Sequence, residues 1–363
     1  MYERDMVALI LAGGKGSRLK KLTKEIPKPL MRVGGSYYLI DFTLNNYIQS
    51  KYITGGAIIV QYSLNYVIDY IFDWMTTNSI TNFKILPPKT TADENEIQYK
   101  STAHAVYLNL DIISKQNVSD YIVLAADHVY FMDYDKFFKF HIESDADLTI
   151  STIKIPIEEA YRFGVFETDE NNNIISFEEK PENPKSNLIS MGIYIFKKEV
   201  LIDVLKKTYP YSPNLDFGND IIPYMINNEY NVKIYRFNGL WKDIGIIEDL
   251  YDFNMQLLSN FQLEKYFKYE SIECNRKLPI TMNKISKTAT IRNCLMSNGI
   301  DISGTVINSV LSKNVRIDEN SEVINSIILD DVVIKNSKLK NVIVTEKNEI
   351  IDIEKITDDL EVL

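Results

Sequence analysis

Four similar stretches follow one another near the end of the chain: Ile291-Arg292-Asn293-Cys294-Leu295-Met296, Val306-Ile307-Asn308-Ser309-Val310-Leu311, Val323-Ile324-Asn325-Ser326-Ile327-Ile328 and, more weakly, Leu339-Lys340-Asn341-Val342-Ile343-Val344. Their asparagines lie 15, 17 and 16 residues apart. Units this short, dense in valine and isoleucine and without helical spacing, suit a parallel β-helix in which each turn stacks its apolar residues on the last. A β-sandwich of short strands is the alternative. The aligned asparagines and the small period favour the solenoid.

The N-terminal part reads differently. Met6 to Leu11 is an unbroken apolar run, followed at once by Ala12-Gly13-Gly14-Lys15-Gly16-Ser17-Arg18. Such a run bounded by glycines predicts a buried parallel strand with a loop at its carboxyl end. Without Cβ atoms, the amides of that loop can approach a phosphate closely. Arg18, and Lys28 in Pro27-Lys28-Pro29, add positive charge beside it. Two other phosphate motifs fail on spacing: no third glycine completes G-x-G-x-x-G, and Gly16-Ser17-Arg18 does not close a P-loop. An ordinary strand-to-helix turn would show the same glycines. The basic residues and the later motifs favour a triphosphate site.

Helical spacing is expected over residues 39–50, 64–75, 102–113 and 247–258, and strands over 57–60, 122–126, 147–153, 190–196 and 232–237. A hairpin is expected across the asparagine-rich turn between Val165 and Ile174, and a polar surface loop over 89–100. Strand and helix in alternation imply a parallel sheet covered on both faces, with ligands beyond the carboxyl ends of its strands. That rule places the glycine loop, Gln61 and Asp127 on one rim. The first domain is expected over 1–258, a linker over 259–285 and the solenoid over 286–363.

A formal charge of −10 argues against general nucleic-acid binding, while leaving room for an anionic substrate held by local positive charge. Cys274 and Cys294 form no disulfide framework, and His104, His128 and His141 are too scattered for a metal cage. No charged and apolar leader opens the chain and no apolar stretch approaches ~20 residues, so neither membrane insertion nor export is expected. A reducing, cytoplasmic location is the expectation.

Asp127, at a predicted strand end, is well placed to hold Mg2+, a hard cation that prefers oxygen ligands. Asp243, in Trp241-Lys242-Asp243-Ile244-Gly245, is its candidate partner. Each alone also suits a helix cap or a turn. Lys180, beside Glu178 and Glu179, can bind a second phosphate or belong to a solvated charge cluster. No nucleophile has an adjacent base, which favours direct in-line phosphoryl chemistry over a covalent intermediate.

With these residues in place the chain resembles the bacterial glucose-1-phosphate adenylyltransferases along nearly its whole length. The resemblance rests on Leu11-Ala12-Gly13-Gly14-Lys15-Gly16-Ser17-Arg18-Leu19, Lys28-Pro29, Asp127-His128-Val129-Tyr130, Phe163-Gly164-Val165, Glu179-Lys180-Pro181, Ser190-Met191-Gly192, Asp216-Phe217-Gly218 and Trp241-Lys242-Asp243. It implies an α/β, Rossmann-like (GT-A-like) nucleotidyltransferase domain with a mostly parallel sheet, followed by a left-handed parallel β-helix. It further implies ATP and glucose 1-phosphate as substrates, ADP-glucose and diphosphate as products for glycogen synthesis, and a homotetramer or a hetero-oligomer with a paralogue. By this resemblance Gly13, Gly14, Gly16, Arg18, Lys28 and Gln61 hold the nucleotide and Asp127 and Asp243 hold Mg2+. Arg18, Lys28, Asp127 and Asp243 carry the catalysis. Tyr99, Gly164, Glu179, Lys180, Ser190, Tyr194, Asp216, Phe217 and Trp241 surround glucose 1-phosphate.

Several positions depart from the family pattern. Ser101-Thr102-Ala103-His104-Ala105 stands where G-T-A-[DN]-A is usual, a change expected to crowd the nucleotide or alter base choice. Ala126 replaces a glycine, Phe131 a basic residue, and Ile26 and Tyr38 replace arginines associated with sugar-phosphate activators. A non-catalytic regulatory subunit, or an enzyme with another base or sugar, is the alternative these changes leave open.

Overall fold

The computed structural model describes residues 4–259 and 281–363, apart from residues 15, 25, 63, 90–98 and 171. Lys15 of the glycine loop, Asn171 of the hairpin turn, Cys274, and most of both the loop 89–100 and the linker 259–285 lie outside the described residues.

The N-terminal region is built on a nine-stranded sheet. Its strands are β1 (Met6–Ala12), β2 (Ile53–Val60), β3 (Phe83–Leu86), β4 (Asp120–Ala125), β5 (Leu148–Lys154), β6 (Gly164–Thr168), β7 (Ile174–Glu179), β8 (Leu188–Lys197) and β9 (Val232–Arg236). They lie in the order β7-β6-β8-β4-β1-β2-β3, with β5 paired to β8 and β9. The sheet is mixed: β7 and β8 run against all the others. In β1 and β4 alternate residues serve opposite faces, which is why these strands read as continuous apolar runs. Ala8, Ile10, Ile122 and Leu124 enter one core with helices α1 (Leu39–Gln49) and α2 (Leu64–Thr77). Val7, Leu9, Tyr121 and Val123 enter the other with helices α3 (Thr102–Leu108) and α4 (Leu110–Ile113). The single helix expected over 102–113 is thus two. Asn109 breaks it, leaving helical geometry while its amide donates to the Ala105 carbonyl at 2.9 Å and the Tyr99 hydroxyl at 3.1 Å.

From Lys284 onward short parallel strands stack into a β-helix, the first of them, Lys284–Ile285, pairing with Asp301–Ile302. Each coil contributes short strands to stacked parallel ladders, as where Thr305–Ile307 and Val310–Leu311 pair with Glu322–Ile324 and Ile327–Ile328 one coil on. The repeated asparagines turn the corners between them. Asn293, Asn308, Asn325 and Asn341 have φ of 52°, 48°, 46° and 56°, a left-handed conformation that asparagine tolerates better than most residues. Behind two of them, Ser309 and Ser326 are buried, and the Ser326 amide donates to Ser309 Oγ at 3.1 Å, satisfying a polar rung inside an apolar stack.

The two regions share a core. Leu19, Met31, Phe42, Leu250 and Phe253 pack with Val310, Ile327, Leu329 and Ile343. Across this junction Arg32 grips Asp330, Nε lying 3.1 Å and Nη2 2.6 Å from Oδ2, and its guanidinium lies 3.9 Å over the Tyr38 ring. Burial and the neighbouring Asp330 push the Glu346 carboxyl up to about 7, against the pull of Arg32 and Lys347. A carboxyl that is harder to ionise folded than unfolded costs stability as it ionises. That cost is absent below the ordinary value of 4.5 and grows as pH rises towards about 7. Glu346→Gln is therefore expected to melt higher than the parent at pH 8 and close to it at pH 5, read by thermal unfolding at both.

Candidate active site

The rim of the sheet opens into a cleft of about 580 Å³. β1 delivers Gly13 and Gly14 to it, β2 Gln61 and β4 Asp127, each just past the strand's last residue. A side chain on Gly14 would meet nothing within 4 Å, and one on Gly13 only Gln61, so this backbone faces open cleft. Gly16 does not line it. With φ of +63° it turns the chain, and a Cβ there would come within 2.9 Å of Thr23 and 3.2 Å of the Lys28 stem. Gly16 thus makes room for Lys28.

Lys28 is buried and its ammonium joins the two expected metal carboxylates. Nζ lies 2.8 Å from Asp127 Oδ2 and 3.3 Å from Asp243 Oδ1. The carboxylates meet because the ribbon His128–Tyr130 pairs antiparallel with Trp241–Asp243, setting Asp243 opposite His128. Burial opposes ionisation of Asp127, but Lys28 and His128 outweigh it and bring the carboxyl down to about 2. The same two aspartates hold the Lys28 ammonium above its ordinary range despite its burial. Arg18 lines this end of the cleft and is exposed.

Further along lie Glu179, Lys180, Ser190, Tyr194, Asp216, Phe217 and Trp241. Lys180 Nζ sits 2.8 Å from Glu179 Oε1 and its side chain is 63% exposed, so it is free to turn to an anion. Tyr194 is buried, and burial raises its hydroxyl pKa, so it stays neutral. Asp216 is largely spent on structure: Oδ1 accepts from Gly218 N at 2.9 Å and Asn219 N at 3.1 Å, and Oδ2 accepts from Thr102 Oγ1 at 2.8 Å. Gly164 does not line the cleft. A Cβ on it would press on the Phe177 ring at 2.7 Å and Glu179 Oε2 at 2.8 Å, so its bareness positions Glu179.

Tyr99 lines the cleft with its hydroxyl already committed, donating to Pro87 O at 2.9 Å. The Ser101 hydroxyl donates to the carbonyls of Asn214 and Leu215, fastening the wall that carries Asp216. His104 is buried outside the cleft, stacked on Tyr209, with Nδ1 accepting from Lys100 N at 3.1 Å. Phe131 packs edge-on to Phe42 in the core shared with the solenoid. These departures from the family pattern have structural partners of their own.

Among the cleft residues that sequence reasoning did not assign, His128 and Arg162 stand nearest the carboxylates. His128 points Nε2 at both carboxylates, 3.7 Å from Asp127 and 3.8 Å from Asp243, while its buried Nδ1 has no partner among the described residues. Arg162 holds Asp249 at 2.6 Å and lies 4.0 Å from Asp243. The available signal was position: His128 directly follows Asp127, and Arg162 directly precedes Phe163-Gly164-Val165.

Among the described residues no group of three His, Cys, Asp or Glu side chains is arranged to hold a metal ion. A metal held by Asp127 and Asp243 would complete its shell with water and substrate oxygens, as Mg2+ does. The donor set fits, since both carboxylates already converge on one positive charge. No helix among the described residues is long and apolar enough to cross a membrane.

Residues 7–260 match the nucleotidyl transferase family, and residues 279–362 match the GlmU-like, C-terminal hexapeptide family. A glucose-1-phosphate adenylyltransferase of Acetivibrio thermocellus is 39% identical over 96% of this chain and 82% of its own length. One from Bacillus cytotoxicus is 38% identical over 99% of this chain and 97% of its own, and one from Clostridium novyi 40% identical over 88% and 85%. With a nucleotidyl transferase region followed by a hexapeptide region, and 38–40% identity to these relatives over most of both chains, the chain belongs to the glucose-1-phosphate adenylyltransferase family of nucleotidyltransferases.

Proposed function

We propose that this chain joins ATP to glucose 1-phosphate, giving ADP-glucose and diphosphate for glycogen synthesis. The observation that carries the reading is the Lys28 ammonium bound to both Asp127 and Asp243 in the cleft that holds the glycine loop. In the reaction an oxygen of the sugar phosphate bonds to the α-phosphorus as its bond to the bridging oxygen breaks, and charge collects on diphosphate. The Gly13 and Gly14 amides and Arg18 hold the triphosphate, and Lys28 turns to it from the carboxylates. Asp127 and Asp243 are the residues that would hold Mg2+, which would supply positive charge against the phosphates. Lys180 takes the sugar phosphate, and Glu179, Ser190, Tyr194, Phe217 and Trp241 wall the sugar. Gln61 lies towards the base.

The test is diphosphate release by the purified chain with glucose 1-phosphate and each nucleoside triphosphate in turn. ATP-selective release supports the reading. Release with another nucleotide moves the base specificity, and silence from folded protein makes the chain a non-catalytic subunit. Lys180→Ala is expected to raise the KM for glucose 1-phosphate by about 10- to 100-fold, the worth of a hydrogen bond to a charged group. The KM for ATP should stay within about threefold of the parent, because Lys180 serves the other phosphate; a parallel rise in both would contradict the assignment. The same reading brings a homotetramer or a hetero-oligomer with a paralogue. Ile351, Ile353 and Ile356, all exposed around the last coil, supply apolar surface for it.

A further inference from the structure

We propose that Arg162 is a positioning residue for Asp243, presented by Asp249. The inference rests on the reading of Asp127 and Asp243 as the carboxylates that hold the divalent cation. Arg162 ends the 3-10 turn Ile157–Arg162 just before β6 and grips both oxygens of Asp249, Nη1 to Oδ1 at 3.3 Å and Nη2 to Oδ2 at 2.6 Å. Asp249 is itself fixed at the start of helix Ile247–Ser259, where Oδ2 accepts from Gly245 N at 3.2 Å and Ile246 N at 3.3 Å. The guanidinium therefore cannot wander, and Nη2 stands 4.0 Å from Asp243 Oδ2.

This divides the Asp243 carboxylate. Oδ1 faces Lys28 at 3.3 Å and His128 at 3.8 Å, and Oδ2 faces Arg162. Gly245 lets them meet: a Cβ there would stand 2.9 Å from Arg162 Nη2 and 3.1 Å from Asp243 Oδ2. When Lys28 turns to a phosphate, Asp243 loses its nearest cation. Arg162 stays, because its main partner is Asp249. It holds Oδ2 back and keeps Oδ1 aimed at the cleft.

The test uses the full chain and Mn2+ with a non-reactive ATP analogue, following free Mn2+ by electron paramagnetic resonance. Arg162→Gln is expected to weaken Mn2+ binding by about tenfold, the usual effect of removing a group that orients a metal ligand. The KM for glucose 1-phosphate should not change. Asp249→Asn keeps an oxygen for the helix cap and is expected to shift Mn2+ binding the same way by a smaller factor; it carries the test if Arg162→Gln does not fold. Unchanged Mn2+ binding in both variants overturns the proposal. Lost affinity for the analogue with Mn2+ binding intact also overturns it and makes Arg162 a direct phosphate contact. A parent chain that binds no Mn2+, or an Asp127→Asn variant that binds it as tightly as the parent, defeats the cation reading itself, and the role of Arg162 falls with it.

Discussion

Asp127→Asn is expected to lower kcat by about 1,000-fold, the upper range for removing one preorganised electrostatic group from a phosphoryl or acyl transfer site. The carboxyl sits at about 2 because Lys28 and His128 overcome its burial, so it is fully ionised at neutral pH. Asparagine preserves the shape and removes the charge. It leaves a weaker ligand for Mg2+ and deprives the buried Lys28 ammonium of its nearer partner at 2.8 Å. Lys28 keeps Asp243 at 3.3 Å, which limits the damage to the fold. Turnover should therefore fall far more than the melting temperature does. A variant within tenfold of the parent kcat would remove Asp127 from the machinery.

Asp120→Ala is expected to cost about 3–5 kcal/mol of folding stability, the range for breaking a buried ion pair from one side. Asp120 is fully buried at the start of β4, on the rim opposite the cleft. It accepts from Arg4 Nε at 3.0 Å and Ser119 Oγ at 2.6 Å, and lies 3.2 Å from His141 Nε2. Alanine leaves these groups facing a gap. Because the Arg4 side chain is 27% exposed, water can relieve part of its loss, which favours the lower end of the range. Burial would raise the Asp120 carboxyl, but His141, Arg4 and Ser119 together hold it below its ordinary value. Its stabilisation is therefore present above the unfolded value of 3.8 and is lost as pH falls through the lower folded one. Denaturant unfolding at pH 7 and near pH 3 reads both effects: the gap between parent and variant should narrow at the lower pH.

The solenoid was legible because its signal is local and repeated: an asparagine at the same corner of successive coils answers a backbone need, and the apolar residues between are set by the stack above and below. The central strands β1 and β4 were legible because both faces are buried and the runs are unbroken, whereas β3 (Phe83–Leu86), a four-residue strand at the end of the sheet, was not anticipated. Gly16 and Gly164 were recognised as part of their motifs, but their work is steric, clearing space for Lys28 and Glu179. Asp216 looked like a ligand residue, yet it spends one carboxylate oxygen capping a helical turn and engages the other with the Thr102 hydroxyl. Ser101 and His104 looked disruptive, yet Ser101 lines the cleft with its hydroxyl turned to the backbone of Asn214 and Leu215, and His104 is engaged outside it.

By itself the sequence determined the classes of fold and the set of charged groups available, since hydrophobic period, glycine spacing and residue chemistry act over short stretches of chain. Only the tertiary structure decided which charges meet. Lys28, Asp127 and Asp243 are separated by 99 and 215 positions along the chain from the lysine to each aspartate, and Arg162 finds Asp249 across 87. Electrostatic pairing depends on distance through space and on burial, and neither is written in the order of residues until the strands that carry them have paired.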